Sequence, residues 1–192
     1  MNSEAPLQAR RSLNLTSAVS LAGVAGFISI VVSLHFMQPG YDPKEQLMSE
    51  LALGPYGWAM LPAFSFLAIA AFGLQAAIGT FGGKLLLRLT LLTAALCFLA
   101  SGLFPLGTHS ELHILFIASA FVASVLAMYL FPSLSGAAGV RVPKAASWSL
   151  AVGVAAGVAL GSSVLPMGVG QRVAAVCLLI WFGFVASRLI RA

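Results

Sequence analysis

Charge is what this sequence has least of. Asp, Glu, Lys and Arg make up 8% of its 192 residues, against about 25% in an average soluble domain. A water-soluble globule needs a polar skin that so few charges cannot provide. A soluble enzyme, a disordered chain and a nucleic-acid-binding module are therefore excluded, and a nucleic-acid partner with them. Cysteine is nearly missing as well. Cys97 and Cys177 stand alone inside apolar runs, where a thiol is usually a small packing residue; a disulfide or a metal pair is the weaker alternative. Also absent is the ten-residue alternation of polar and apolar positions that marks a membrane β-barrel. No connection is long enough for a soluble domain, the longest being the twenty residues of Gln38–Gly57.

What is present is apolar sequence: 60% of residues, with a mean hydropathy of +1.01. A helix needs about 20 apolar residues to cross the hydrocarbon core. Six runs meet or approach that length: Leu15–Met37, Trp58–Phe81, Leu85–Gly107, Leu112–Leu134, Ala145–Met167 and Val173–Ile190. They predict an all-α, six-helix transmembrane bundle forming a single integral membrane domain over residues 1–192. Arg10, Arg11, Lys84, Arg88, Arg141, Lys144, Arg188 and Arg191 fall on one side of it, and only Lys44 and Arg172 on the other. Basic residues collect in cytoplasmic loops, so both termini are expected in the cytoplasm. Arg10-Arg11 before an apolar run imitates a twin-arginine export signal. The run is too long for a signal-peptide core and reads as an uncleaved first helix.

Gly153, Gly157 and Gly161 recur every four residues and share one helix face. Small residues at that spacing let two backbones approach. Packing against another helix of the same chain is the expected use, and a homodimer through this face is the alternative.

The outer side collects Asp42, Glu45, Glu50 and Glu111, the three histidines His35, His109 and His113, and Arg172. Ionisable groups at membrane depth are costly and mark partners or function. Glu50 and Arg172 are expected to pair, the competing reading being that Ser49 or Glu50 caps a short interfacial helix. His113, just inside an apolar run, needs a hydrogen-bond partner. His109 and His113 are four apart, a spacing that could hold a metal, yet the ligand set is incomplete, and no metal site is predicted. Ser49, His113 and an outer carboxylate are the residue types of a nucleophilic triad, without a nucleophile-elbow motif to support one; Ser49, Glu50 and His113 are the catalytic candidates. Tyr41, Tyr56 and Trp58 suit the outer interface, and Tyr129 and Trp148 the inner one.

Pro39-Gly40-Tyr41-Asp42-Pro43, Ser49-Glu50-Leu51-Ala52 and Gly54-Pro55, followed by Phe104-Pro105, Leu112-His113 and Gly170-Gln171-Arg172, resemble the DUF998 family of small multi-helix membrane proteins. The family often carries an acidic residue soon after the Phe-Pro pair; here Leu106 and Gly107 follow, with Glu111 the nearest substitute. The resemblance, to a bacterial and archaeal family, implies the plasma membrane of a prokaryote and no activity. It places emphasis on Ser49, Glu50, His113 and Arg172. A more remote likeness to the Frag1/DRAM group, some of whose members act in lipid remodelling, rests on an outer-loop serine-acid motif and a later helix histidine.

The sequence thus predicts a pocket open to the outer side where Ser49, Glu50, His113 and Arg172 converge, with Asp42 and His35 nearby. Its expected partner is a membrane lipid headgroup or small amphiphile. A structural scaffold, and a metal-dependent membrane enzyme using the outer His/Glu cluster, are the alternatives. The residues specify no cofactor and do not decide whether the protein is an enzyme.

Overall fold

The computed structural model describes residues 4–134, 142–161 and 163–191. Six helices account for most of them: α1 (Glu4–Met37), α2 (Met60–Thr80), α3 (Leu85–Leu103), α4 (Ser110–Leu134), α5 (Lys144–Gly161) and α6 (Met167–Ile190). All six are long and apolar enough to cross a membrane, and no strand occurs among the described residues. Each helix packs against its neighbours in the chain, and α6 closes back onto α1. The α4–α5 seam is the loosest of these contacts. With an even number of spans, both termini emerge at one end of the bundle. Arg10, Arg11, Lys84, Arg88, Lys144, Arg188 and Arg191 lie at that end; Arg141 falls outside the described residues.

The boundaries depart from the apolar runs by several residues in four places, one of them the end of α3, at Leu103 and not at Gly107. α1 begins at Glu4 and not at Leu15, because the polar stretch ahead of the apolar run has no helix breaker after Pro6. α5 ends at Gly161, and α6 begins at Met167 after Pro166. The apolar residues Val164 and Leu165 belong to the turn between them. Hydropathy alone places them in a helix; Pro166, which biases the preceding residue against helical geometry, ends that possibility.

Close helix approaches are made by small residues. On α1, Gly23 lies against the Phe66–Ala70 backbone of α2, and Ser20 Oγ donates to Ala70 O at 2.8 Å. On α5, the stripe of Gly153, Gly157 and Gly161 meets Cys177, Ala174 and Gly170 of α6. That stripe is thus occupied from within the chain.

Two prolines free carbonyls that other helices then satisfy. Proline has no N–H, so the carbonyl four residues earlier loses its helical donor. Pro132, inside α4, frees Met128 O. Ser147 Oγ of α5 donates to it at 2.6 Å and accepts from Trp181 Nε1 of α6 at 2.8 Å, all in the core. Replacing Ser147 with alanine would leave both Met128 O and the indole N–H unpaired. The expected loss is about 2 kcal/mol, measurable as a lower unfolding midpoint in detergent micelles.

Candidate functional site

The end of the bundle opposite the termini is built by the segment between α1 and α2. Pro39, Gly40, Pro43, Gly54 and Pro55 prevent a continuous helix. The chain instead turns through Tyr41–Gln46, dips into the bundle as a 3-10 turn (Met48–Leu53) and leaves through a second one (Gly57–Ala59). Leu51 is the plug, fully buried. Gln38 Nε2 donates to Leu51 O at 2.7 Å and holds it there.

The N-terminus of α6 anchors this segment. Gly168 lies directly beneath the carbonyls of Pro43, Lys44 and Gln46, closer than any side chain would permit. Val169 N–H donates to Lys44 O at 3.1 Å, using one of the amides a helix start leaves free. Gln171 Oε1 accepts from Met48 N–H.

Arg172 completes the anchor. Its Nη1 donates to Gln46 O at 3.0 Å and to Gly168 O at 2.8 Å. Its Nη2 donates to His35 Nε2 at 2.8 Å and to the Tyr41 hydroxyl. His35 holds its own orientation by donating Nδ1–H to Val31 O at 2.6 Å. Tyr41 passes its proton on to Leu47 O at 2.9 Å. Burial raises the Tyr41 pKa above its ordinary 10.0, against the opposing pull of Arg172. The phenol therefore stays protonated and keeps donating.

The expected Glu50–Arg172 ion pair is not formed. Glu50 Oε1 accepts from Leu47 N–H at 3.0 Å and Oε2 from Gln46 Nε2 at 3.3 Å. The glutamate reaches back to the first amide of its own 3-10 turn, as a capping residue does, and this local acceptor role wins over the distant cation. Asp42 is likewise local: exposed, with Oδ1 accepting from Lys44 N–H at 2.8 Å. The capping role considered for Ser49 falls to Glu50, and Ser49 Oγ has no hydrogen-bond partner.

His113 stands on the second turn of α4, 1% exposed. Gly107 (φ +93°) makes the turn that brings α4 back against α3. Pro105 frees the carbonyl of Ser101, as Pro132 does that of Met128. His113 Nδ1–H donates to Ser101 O at 2.9 Å and to Phe104 O at 3.1 Å. Phe64 meets the ring edge-on. Nδ1 is thereby the donor, and Nε2 is a buried acceptor with no partner on the protein. His109 is exposed and packs on Phe104. The two histidines diverge because His109 precedes the helix and His113 faces inward. Among the described residues, no three His, Cys, Asp or Glu side chains gather as a metal site would require.

Where α4 and α5 part, a cleft of about 230 Å³ opens. Ile114, Ile117, Ala118 and Phe121 of α4 form one wall, and Gly157, Val158 and Gly161 of α5 the other. Its polar lining is confined to one end, where Ser49, His113 and Gln171 meet. Ser49 is 3% exposed. The Gln171 carbonyl is committed to Met48 N–H, so its amide N–H₂ group remains as a donor. This end holds His113, whose Nε2 is a buried acceptor without a partner, a hydroxyl that both donates and accepts, and an amide donor, with no carboxylate or guanidinium among the lining residues.

The predicted cluster is therefore two sites. Ser49 and His113 share the α4–α5 cleft; Arg172 and His35 belong to the α1–α6 side; Glu50 and Asp42 shape the loop between. Gln171 escapes any search for functional residues that follows charge. Its position beside Arg172, on a helix where successive residues are turned by about 100°, is the signal that could have found it.

These features define a polytopic α-helical membrane protein with a cleft between α4 and α5 and a buried 3-10 turn at one end of it. The chain belongs to the DUF998 family, described as proteins of unknown function, whose model matches residues 21–188. No curated protein and no solved structure matches it.

Proposed function

We propose that the α4–α5 cleft binds a membrane amphiphile whose head is uncharged and forms hydrogen bonds, with its apolar tail lying along α4 and α5. The observation that carries this reading is the buried, unpartnered Nε2 of His113, a residue that lines the head of an otherwise apolar cleft. A buried polar atom without a partner costs roughly 1–3 kcal/mol, and a donor on a bound head would recover it. Ser49 Oγ and the Gln171 amide supply the complementary donor and acceptor positions. A free carboxylate or phosphate would find no cation among these lining residues, which favours a hydroxyl, amide or ester head. The apolar walls suit an acyl or isoprenoid tail entering from the bilayer. The positive-inside rule supports a cytoplasmic location for the basic end of the bundle and the termini; on this reading the cleft opens in the outer half of the plasma membrane of a prokaryote.

Native mass spectrometry of protein released from its own membranes tests this reading. The wild type is expected to carry one amphiphile per chain. Ala118→Trp, which fills the cleft from an exposed position on α4, should lose it while the protein stays folded. An unliganded wild type, or equal retention by the variant, would refute the proposal.

A further inference from the structure

The α1–α6 face carries a second apolar groove with the opposite electrostatic character at its head. Val24, Ile28, Val31 and Val32 of α1 face Val176, Leu179 and Ile180 of α6 across a space of about 440 Å³. Arg172 and His35 stand at its outer end. Every partner of the guanidinium is neutral: two carbonyls, the Tyr41 hydroxyl and His35 Nε2. Tyr41, kept as a phenol by burial, adds no negative charge. The nearby carboxylates of Glu50 and Asp42 are turned to the loop, and Arg172 Nε–H has no partner on the protein. A positive charge is thus held rigidly at membrane depth, with one donor unused, above a groove shaped for a hydrocarbon chain.

From this charge complementarity we infer that the α1–α6 groove is a binding site for one anionic phospholipid, its phosphate on Arg172 and an acyl chain along Ile28, Val32 and Val176. This site is distinct from the α4–α5 cleft, with only a small cavity of about 20 Å³, lined by both Met48 and Ser49, between them. The two lie on different sides of the 3-10 turn: Met48 lines the groove and Ser49 the cleft.

The test uses the full chain in detergent, titrated with phosphatidylglycerol or phosphatidylcholine of the same acyl composition and read by native mass spectrometry. The wild type should prefer phosphatidylglycerol by about five- to tenfold for the first lipid bound, the gain expected of one cation near an anionic headgroup. Arg172→Gln should abolish the preference. Because Arg172 also anchors the loop, Val176→Trp is the second variant. Val176 is 53% exposed and outside the core, and a tryptophan there fills the groove while Arg172 stays in place. It should lower phosphatidylglycerol binding to the level of phosphatidylcholine. Equal binding of the two lipids by the wild type, or an unchanged preference in Val176→Trp, would overturn the inference. An amphiphile retained in the α4–α5 cleft through all of these variants would leave the cleft proposal standing whichever result is obtained.

Discussion

Gly170→Val should prevent the bundle from assembling. A Cβ at Gly170 would press on the Gly161 Cα and lie 2.5 Å from Gly157 O, both backbone atoms. Nothing there can rotate aside, so α5 and α6 must separate. Overpacking costs about 1–3 kcal/mol where side chains yield, and more where they cannot. The separation would also pull Gly168 and Gln171 from the loop they anchor. The expected result is loss of folded protein, seen as aggregation or an early-eluting peak in size-exclusion chromatography. Gly183 provides the control on the same helix. No atom lies within 4 Å of a Cβ built there, and Gly183→Ala should be neutral or stabilise by about 0.5–1 kcal/mol through helix propensity. Similar behaviour of the two variants would show that the α5–α6 approach is looser than described.

Arg172→Ala should be the most damaging change among the polar residues. It removes four hydrogen bonds, three of which join α6 to α1 and to the Tyr41–Gln46 turn while the fourth, to Gly168 O, lies within α6. Hydrogen bonds to a charged group contribute about 1.5–3 kcal/mol each. Several act on one loop and are not additive, so a total loss of about 3–4 kcal/mol is expected. Proteolysis separates this from general unfolding. Cleavage within residues 38–47 should accelerate strongly, while the helices remain protected until the loop is cut. Glu50→Gln offers a comparison: it should cost less, because the amide oxygen can still accept from Leu47 N–H. If Glu50→Gln proved as damaging as Arg172→Ala, the glutamate would have a role beyond its local cap.

The number of helices is legible in the sequence because hydropathy measures what the bilayer selects. The same measure fails at Val164 and Leu165, which are apolar but sit before a proline, and at the start of α1, where a polar helix continues beyond the apolar run. Within the site, burial of His113 can be read from its place inside an apolar run, and its need for a partner follows. The identity of that partner cannot be read from charge. It depends on Pro105 withholding a donor from Ser101 O, a backbone effect that a count of side chains overlooks. Ser147 and Pro132 repeat the device on the other half of the bundle. The Glu50–Arg172 pairing is the natural inference from two opposite charges at one end of a membrane protein. It fails because a backbone amide three residues away is nearer in space than a cation on another helix. The convergence of Ser49 with Arg172 fails for a related reason. Consecutive residues of a 3-10 turn, three to the turn, point in different directions: Met48 lines the α1–α6 groove and Ser49 the α4–α5 cleft.

The central claim is that the cleft between α4 and α5 holds a specific amphiphile and not bulk lipid. The most direct test places a photo-crosslinking amino acid at Ile114, which is 57% exposed on the cleft wall, and at Phe72, which is 53% exposed on α2. Both proteins are irradiated in native membranes and their adducts are weighed. The account predicts one dominant small-molecule adduct at Ile114, absent at Phe72 and lost when Ser49 and Gln171 are both replaced by alanine. Matching adduct distributions at the two positions, reflecting the surrounding bilayer, would contradict it.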